Sequence, residues 1–265
     1  MRTRLLPYKD HSSSCKALGR ALKIKRIRKA GSSFKPRTGD LVINWGCGDK
    51  NAPEEYRNWF GGRILNHPLS VSVAVDKRDS LKALVDYLLP VVPFTEDPLT
   101  AEAWLSADNR VYARHKVTAH SGEGIEILYP GMDVPKASLY TKGISGKRRE
   151  FRLHVGMGGV FHKQTKKRVN GWRDNPYFSN EIRNKHTGWV YSLDAEHITE
   201  EIEDLAVQSL NALGLDFGAV DIVATKDQVF ILEVNTAVGL SNPTTLSKYV
   251  EFLEGVIGNY KVLYR

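Results

Sequence analysis

Two carboxylates and one amide lie within strongly apolar runs near the C-terminal end of the chain. Asp221 occurs in GAVDIVA, and Glu233 and Asn235 occur in ILEVNT. Residues two apart on a strand face the same side, so Glu233 and Asn235 are expected to project together. A carboxylate in a core-like run is costly to bury unless it is paired or bound to a cation. The set predicts a Mg²⁺ site, since Mg²⁺ prefers oxygen ligands completed by phosphates. The alternative is a pair of structural carboxylates in buried salt bridges.

A glycine-containing loop, HSGEGI at 120–125, follows a basic strand that carries Arg114 and Lys116. Glycines such as Gly122 and Gly124 let backbone N–H groups approach phosphate oxygens, and Ser121 adds a hydroxyl donor. The loop is therefore a candidate phosphate-binding segment. A plain hairpin turn is the alternative.

Two further clusters carry charge close to predicted strands. In REFRLHV, Glu150 and Arg152 share one strand face, and Lys166 follows in KQTKKR. Arginine can hold a phosphate through two hydrogen bonds, and lysine supplies a mobile point charge. In IRNKHTGW, Arg183 and Asn184 precede a strand, together with a histidine that is either a general base, a ligand or a surface residue. Exposed hairpin charges are the alternative interpretation of the first cluster.

The elements needed to position these residues fall into two regions. Up to about residue 98, the pattern predicts alternating strands and helices of a small α/β domain. It includes strands at 41–46, 63–66 and 91–94 and a helix Asp79–Leu89. That helix is expected to bury one apolar face, made of Leu81, Leu84, Val85 and Leu88.

After residue 98 the sequence pattern predicts mainly β-strands, together with longer helices. Gly156–Gly159 predicts a hairpin turn, and FGAVDIVAT and QVFILEVNT are expected to pair as antiparallel strands. Ala195–Leu213 and SKYVEFLEGVIG predict amphipathic helices. The predicted fold class is α+β, with residues 1–98 as a small N-terminal α/β domain and residues 99–265 as the catalytic domain.

Charge is unevenly distributed. Residues 1–50 contain 13 Lys/Arg and 3 Asp/Glu, a net charge of +10 in a chain of +8, and residues 142–168 carry +8. Such blocks attract nucleotide phosphates, nucleic acid or an acidic substrate, unless they form a solvated basic face. No apolar run approaches the ~18 residues of a membrane helix, so no membrane association is expected. With two cysteines and no signal-peptide pattern, we expect a reduced, cytoplasmic setting, which would be the host cytoplasm for a phage-encoded protein.

The order of these motifs resembles that of ATP-grasp ligases, especially the group around the ribosomal-protein glutamate ligase and related phage-type proteins. The motifs, in chain order, are SGEGI, LYTKGI, EFRLHV, KQTKK, IRNKHTGW, GLDFGAVDIV and ILEVNT. The resemblance covers about residues 40–250, and NWG, LNHP and VDK resemble the small domain that precedes the grasp. It implies two α+β subdomains that hold ATP between them.

The resemblance also implies roles for individual residues. Arg114 or Lys116 would contact ATP, and Leu139–Ile144 would form the adenine-binding hinge, with Tyr140, Thr141, Lys142 and Ile144 as its contacts. The nucleotide set would further include Ser121, Gly122, Gly124, Glu150 and Lys166. Asp221, Glu233 and Asn235 would hold Mg²⁺, with Mn²⁺ as the alternative ion. Arg152, Arg183 and Asn184 would lie beside the reacting groups.

The activity implied by the resemblance is ATP-dependent joining of a carboxylate and an amine through an acyl phosphate, with ADP and phosphate released. The substrates would be a carboxylate and an amine acceptor, for which a peptide or protein is one option. Two alternatives stay open: a protein that acts on or binds nucleic acid through its basic N-terminal block, and an ATP-binding module without catalysis.

Overall fold

A four-stranded parallel sheet, the first sheet, opens the fold. The computed structural model describes residues 1–28, 31–57, 63–118 and 122–263. The strands are β1 (Thr3–Pro7), β2 (Lys25–Arg26), β3 (Leu41–Trp45) and β4 (Arg63–Leu65), in the order β2-β1-β3-β4. The helices of this region are α1 (Ser13–Ala21), α2 (Glu54–Arg57), α3 (Pro68–Val75) and α4 (Lys77–Asp86).

A second, antiparallel sheet, the outer sheet, follows along the chain. It contains β5 (Phe94–Thr95), β6 (Val111–Arg114), β7 (Ile125–Leu128) and β8 (Leu139–Lys142), in the order β5-β8-β6-β7. Helix α5 (Pro98–Ser106) packs on it through Ala101 and Leu105. The division of the chain at residue 98 stays a prediction.

The third sheet is central to the molecule and fully antiparallel. Its strands are β9 (Arg149–Gly156), β10 (Gly159–Arg168), β11 (Trp189–Ser192), β12 (Phe217–Ala224) and β13 (Val229–Asn235), in the order β11-β10-β9-β12-β13. Helices α6 (Glu200–Ala212) and α7 (Pro243–Leu263) complete the fold. The predicted hairpin at Gly156–Gly159 is confirmed, because Met157 and Gly158 both have positive φ and form the two-residue turn.

Alternation along β9 explains how this sheet can be both core and site. Phe151, Leu153 and Val155 are buried in the main core, where the apolar face of α6 also packs. Glu150, Arg152 and His154 point to the opposite side, which we call the front face. The predicted α+β class and the antiparallel pairing of β12 with β13 are confirmed.

Asn66 joins the first sheet to the central sheet. Its side-chain oxygen accepts from the backbone N–H groups of Asp216 (2.8 Å) and Phe217 (3.1 Å), and its Nδ2 donates to the Phe217 carbonyl (2.8 Å). Asn66 is fully buried, with φ 59°, a region that asparagine tolerates better than most residues. The LNHP motif therefore supplies the link between the two sheets.

Some predicted elements differ from the structure. Helix α4 ends at Asp86, and Leu88 lies beyond it with φ 60° and 92% exposed, so it is wrong to place Leu88 on the buried face. Val85 is also exposed, whereas Leu81 and Leu84 are buried. The strand predicted at 91–94 is reduced to β5, and Val91 makes a single parallel bridge to Ile231. In the described part of the chain, no helix combines the length and apolarity needed to cross a membrane.

Candidate active site

Four polar side chains form one row across the front face of the central sheet. Strand register places Gln164 opposite Arg152, Arg152 opposite Asp221, and Asp221 opposite Glu233. A second row on the same face, two residues along each strand, contains His162, His154, Ala219 and Asn235. The predicted juxtaposition of Asp221 with Glu233 and Asn235 is therefore observed, and Arg152 joins them.

Arg152 and Asp221 form a two-point ion pair. Nε and Nη2 of Arg152 each donate to a different oxygen of Asp221, over 2.7 Å. Both side chains are largely buried. Burial alone would lower the pKa of Arg152, but the adjacent Asp221 carboxylate outweighs it and raises the pKa, so the arginine stays charged. The guanidinium also lies 4.1 Å from the ring centre of Tyr191, which covers it as a cation–π partner.

Glu233 is held by a lysine from the beginning of α4. Nζ of Lys77 lies 3.2 Å from Oε2 of Glu233, and Nδ2 of Asn235 donates to Oε1 over 3.2 Å. Burial would raise the pKa of Glu233, but Lys77, Arg152 and the Asn235 hydrogen bond together lower it to about 2. Burial also lowers the pKa of Arg114, and the charge of Glu233 opposes that shift.

A third cluster surrounds Glu150. This buried carboxylate lies 3.1 Å from Nζ of Lys166, 3.3 Å from Arg183 and 3.6 Å from Arg148. Nζ of Lys166 also donates to the Arg183 carbonyl (2.9 Å) and lies 4.7 Å from the Tyr191 ring centre. Arg148 also lies 3.8 Å from the Glu181 carboxylate, so three cations face two anions. The cluster therefore carries excess positive charge that suits a polyanionic ligand.

The glycine loop meets the IRN segment, as far as the loop is described. A Cβ on Gly122, which has φ +83°, would lie 2.7 Å from Cγ2 of Ile182 and 3.7 Å from Nδ2 of Asn184. Ser121 lies outside the described residues. Gly124 also has positive φ, and the side chain of Lys116 packs beside it. The ammonium of Lys116 pairs with Glu123.

The two polar residues of the IRN segment have different surroundings. Asn184 shapes its own turn, since its Oδ1 accepts from the backbone N–H of Thr187 over 3.0 Å. Arg183 lies over the Trp189 ring, 4.4 Å from its centre, and burial lowers its pKa. The exposed His186 stacks on Tyr177, 4.4 Å between ring centres, and has no contact with the three clusters.

The predicted hinge lies on β8 of the outer sheet. The Tyr140 hydroxyl is buried and donates to the Pro135 carbonyl, and Thr141 is also buried. The backbone N–H of Lys142 donates to the Pro93 carbonyl over 2.8 Å, so this donor is already used within the protein. Ile144 packs against the main core. The structure does not join these four side chains to the charged clusters on the front face.

Sequence reasoning missed three residues of the site. Lys77 pairs with Glu233, Arg148 approaches Glu150, and Tyr191 covers Arg152 and Lys166. Arg148 could have been selected from the basic run KRR at 147–149, and Tyr191 from the alternation of WVYS. Lys77 begins α4 and belongs to the VDK motif, but nothing in that motif indicated its contact with Glu233.

The residues present fit a Mg²⁺ ion that is shared with phosphates. Asp221 and Glu233 offer carboxylate oxygens and Asn235 offers an amide oxygen. Among the described residues, no group of three or more His, Cys, Asp and Glu could hold a metal ion. Mg²⁺ commonly takes one or two protein carboxylates and completes its shell with water and phosphate. Oδ1 of Asp221 keeps a second lone pair beside its bond from Arg152, whereas Oδ2 accepts from Arg152 and also, over 3.5 Å, from Nδ2 of Asn235.

The basic N-terminal block lies at the edge of the first sheet and is partly used within the fold. Arg2 pairs with Asp40, Arg26 donates to the Asp10 carbonyl, and Arg2 and Arg4 cover the Phe34 ring. A groove of about 460 Å³ beside it is lined by Arg4, Lys23, Lys25 and Lys261, among others.

Residues 180–251 match the family model described as the RimK-like ATP-grasp domain, a segment that includes Asp221, Glu233 and Asn235. A segment of 63 residues is 41% identical to tetrahydromethanopterin:alpha-L-glutamate ligase from Methanocaldococcus jannaschii, covering 23% of this chain and 22% of that protein. This chain thus matches about a fifth of that relative's length.

Solved structures extend the likeness to most of the chain. The ATP-grasp ligase PsnB complexed with minimal precursor, Mg and ADP aligns with TM-score 0.64 and 15% identity, over 92% of this chain and 91% of PsnB. D-alanyl-alanine synthetase A from Vibrio cholerae O1 biovar eltor aligns with TM-score 0.65 and 15% identity, over 98% of each chain. The chain therefore has the ATP-grasp fold.

Proposed function

We propose that this protein is an ATP-dependent ligase that joins a carboxylate to an amine. In the first step a carboxylate oxygen attacks the γ-phosphorus of ATP, and the bond to ADP breaks to give an acyl phosphate. In the second step the amine nitrogen attacks the acyl carbon, phosphate leaves, and the amine proton passes to solvent. Support comes from the RimK-like ATP-grasp match over residues 180–251, and from a relative and structural neighbours that are named ligases or a synthetase.

One observation carries the proposal. The front face gathers Arg152, Lys166 and Arg183 around two buried carboxylates, next to the Glu233–Asn235 pair. Phosphoryl transfer demands positive charge that is fixed before the reaction, and buried, hydrogen-bonded cations supply it at little cost of reorganisation. Arg148, Lys166 and Arg183 outnumber the two carboxylates that they contact, Glu150 and Glu181, which leaves positive charge for a phosphate ligand.

Each residue has a proposed role in this reaction. Asp221, Glu233 and Asn235 would hold Mg²⁺, which when bound would neutralise phosphate charge. Lys166 and Arg183 would attract the triphosphate, and Arg152 would act on the transferring phosphoryl group, with Asp221 fixing its orientation. Lys77, which pairs with Glu233, and Arg114, at the end of β6 in the outer sheet, would add positive charge. Binding of nucleic acid, a cytoplasmic location and the use of Mn²⁺ stay predictions.

The direct test measures ADP release with ATP and Mg²⁺ against a panel of amino acids and acidic peptides, with hydroxylamine added. Hydroxylamine traps an acyl phosphate as a hydroxamate, so the carboxylate can be identified before the natural amine is known. We expect ADP release and hydroxamate to depend on the same carboxylate.

Two adjacent lysines provide a matched control. Lys166 is largely buried on Glu150, whereas Lys167 is exposed and pairs with Asp194. Lys166→Gln should lower turnover by about 10²–10³, the scale of one lost electrostatic contact, and Lys167→Gln should not. ATP binding without hydroxamate from any carboxylate would instead identify a non-catalytic nucleotide-binding module.

A further inference from the structure

A buried chain of hydrogen bonds runs beside the proposed active site and ends at a histidine. His154 is fully buried, and its Nδ1 lies 3.1 Å from the Tyr249 hydroxyl while its Nε2 lies 2.9 Å from Oε1 of Gln164. Nε2 of Gln164 lies 3.3 Å from Oγ1 of Thr245, which in turn lies 3.2 Å from Nε2 of His162. The chain connects β9 and β10 with the first turns of α7.

The direction of each bond follows from what each atom can do. A carbonyl oxygen only accepts, so Nε2 of His154 must carry the hydrogen given to Gln164, and its Nδ1 must accept from Tyr249. The amide nitrogen of Gln164 only donates, so Thr245 accepts there. The buried Thr245 hydroxyl then has its own hydrogen to place, and within the described part of the chain the Nε2 atom of His162 is the acceptor in reach.

His162 is therefore fixed as the tautomer with hydrogen on Nδ1. Burial lowers the pKa of His154 to about 3, and burial and then the nearby Lys248 lower the pKa of His162. Both rings are thus neutral near pH 7, and each has one hydrogen to donate. Among the described residues, Nδ1 of His162 has no hydrogen-bond partner. The side chain is partly exposed.

The position of His162 relates it to the reacting groups. Its ring stacks on His154, with centres 4.9 Å apart, and His154 shares the front face of β9 with Arg152, two residues away. Arg152 pairs with Gln164 and His154 pairs with His162, so Arg152 and His162 are diagonal neighbours on this face. Such neighbours lie about 7–8 Å apart, so a small substrate held near Arg152 reaches His162. Thr245 lies in the first turn of α7, just after the segment 236–242 that leads from β13.

We propose that Nδ1–H of His162 binds an oxygen atom of the amine-bearing substrate, and that the buried chain from Tyr249 sets the tautomer that makes this possible. The inference rests on the proposed ligase function. It makes His162 a specificity-determining residue for the second substrate and His154, Gln164 and Thr245 positioning residues.

The tautomers can be measured without any activity. In the full-length protein labelled with ¹⁵N-histidine, ring correlations should show hydrogen on Nε2 of His154 and on Nδ1 of His162. Thr245→Val removes the hydroxyl that donates to His162, so the Nδ1–H form of His162 should lose its dominance while His154 keeps its own form. Hydrogen on Nε2 of His162 in the unsubstituted protein would overturn the proposal.

Kinetics then test the role, using glycine, glycinamide and ethylamine as amines with the carboxylate that supports hydroxamate formation. Asparagine places an amide nitrogen near the position of Nδ1, whereas glutamine places one near Nε2. We expect His162→Gln to lower the preference for an oxygen-bearing amine over ethylamine about tenfold, the scale of one lost hydrogen bond, and His162→Asn to retain most of it. The exposed His11→Gln serves as the control.

The outcomes separate the two proposals. A preference for glycine alone assigns a carboxylate to His162, and a preference shared with glycinamide assigns a carbonyl oxygen. Equal effects of His162→Asn and His162→Gln, or no preference over ethylamine in the unsubstituted enzyme, would overturn the role of His162 alone. If the unsubstituted protein forms no hydroxamate, the proposed function fails and this role fails with it.

Discussion

Arg152 on β9 and Asp221 on β12 are directly opposed in the central sheet and share two hydrogen bonds of 2.7 Å. Each member of the pair has a different effect on the other. Asp221 fixes the orientation of the guanidinium on the front face, and Arg152 supplies the counter-charge that permits a carboxylate to be buried there. Stability and chemistry therefore depend on the same contact, which has consequences for how variants should be designed.

Removing only Asp221 should destabilise the protein. Asp221→Asn leaves the buried guanidinium of Arg152 without its counter-charge, a change that typically costs about 3–5 kcal/mol. Urea unfolding should show this loss. The double variant with Asp221→Leu and Arg152→Met should instead keep most of the stability, because two apolar side chains can replace a buried ion pair. It should have no turnover. A single Asp221→Asn variant as stable as the unsubstituted protein would contradict this account of the pair.

Glu233 offers a cleaner test of metal binding. Its side chain is about a third exposed and its partner Lys77 is also partly exposed, so Glu233→Gln should cost less than about 1 kcal/mol of stability. Turnover should fall by about 10²–10³. Electron paramagnetic resonance of Mn²⁺ with ATP should show weaker ion binding. Asp227→Asn, in the exposed turn of the same hairpin, should change neither measurement. Unaltered ion binding by Glu233→Gln would remove Glu233 from the metal site.

Glu150 was predicted as a nucleotide contact, and the structure suggests how to test it as a counter-charge. Glu150→Gln removes the anion that Arg148, Lys166 and Arg183 share and leaves Arg148 its 3.8 Å contact with Glu181, so the melting temperature should fall. Inorganic tripolyphosphate should then raise the melting temperature more in this variant than in the unsubstituted protein, because binding to the folded state stabilises it. Asp194→Asn, at an exposed ion pair, provides the control. An equal shift in both proteins would show that Glu150 does not balance the cluster.

Strand periodicity was enough to predict the front-face row in outline. Because β12 and β13 are joined by a short turn, the local sequence dictates that Asp221 and Glu233 become neighbours. Lys77 could not be placed in this way, since its contact with Glu233 depends on how α4 packs on β13, a strand that begins about 150 residues further along the chain. His154 and His162 were also overlooked as a pair, because a bulge after Val160 brings them into register.

The first sheet shows the same limit. Its opening strand, Thr3–Pro7, carries charge and a terminal proline and was not predicted, although Leu5 and Leu6 are fully buried. Leu88 was predicted to be buried because it continued a helical repeat, but the helix ended first and the chain turned through positive φ. Periodicity describes an element well and its end poorly, because the end depends on local caps and on tertiary contacts.

Asn66 should be essential for holding the first sheet against β12. Asn66→Ala removes three side-chain hydrogen bonds with Asp216 and Phe217 and places alanine at φ 59°, so a loss of about 3 kcal/mol or more is expected in urea unfolding. Asn66→Gly removes the same bonds but tolerates the backbone, and should recover about 1 kcal/mol of the loss. Equal stabilities of the two variants would show that positive φ carries no cost here.

The buried His154 predicts an acid-sensitive component of stability. Its pKa is about 3 in the folded protein, because burial disfavours the charged ring, and about 6.5 in the unfolded chain. Between these values the unfolded state binds more protons, so this contribution is fully present above pH 6.5 and is lost as the pH falls towards 3. The slope reaches about 1.4 kcal/mol per pH unit. Unfolding free energies of His154→Gln, measured from pH 4 to 7, should lack this component, whereas the exposed His11→Gln should keep it. Parallel curves for His154→Gln and the unsubstituted protein would mean that His154 is protonated in the folded state, and the hydrogen-bond directions assigned to Gln164 and Tyr249 would then have to be revised.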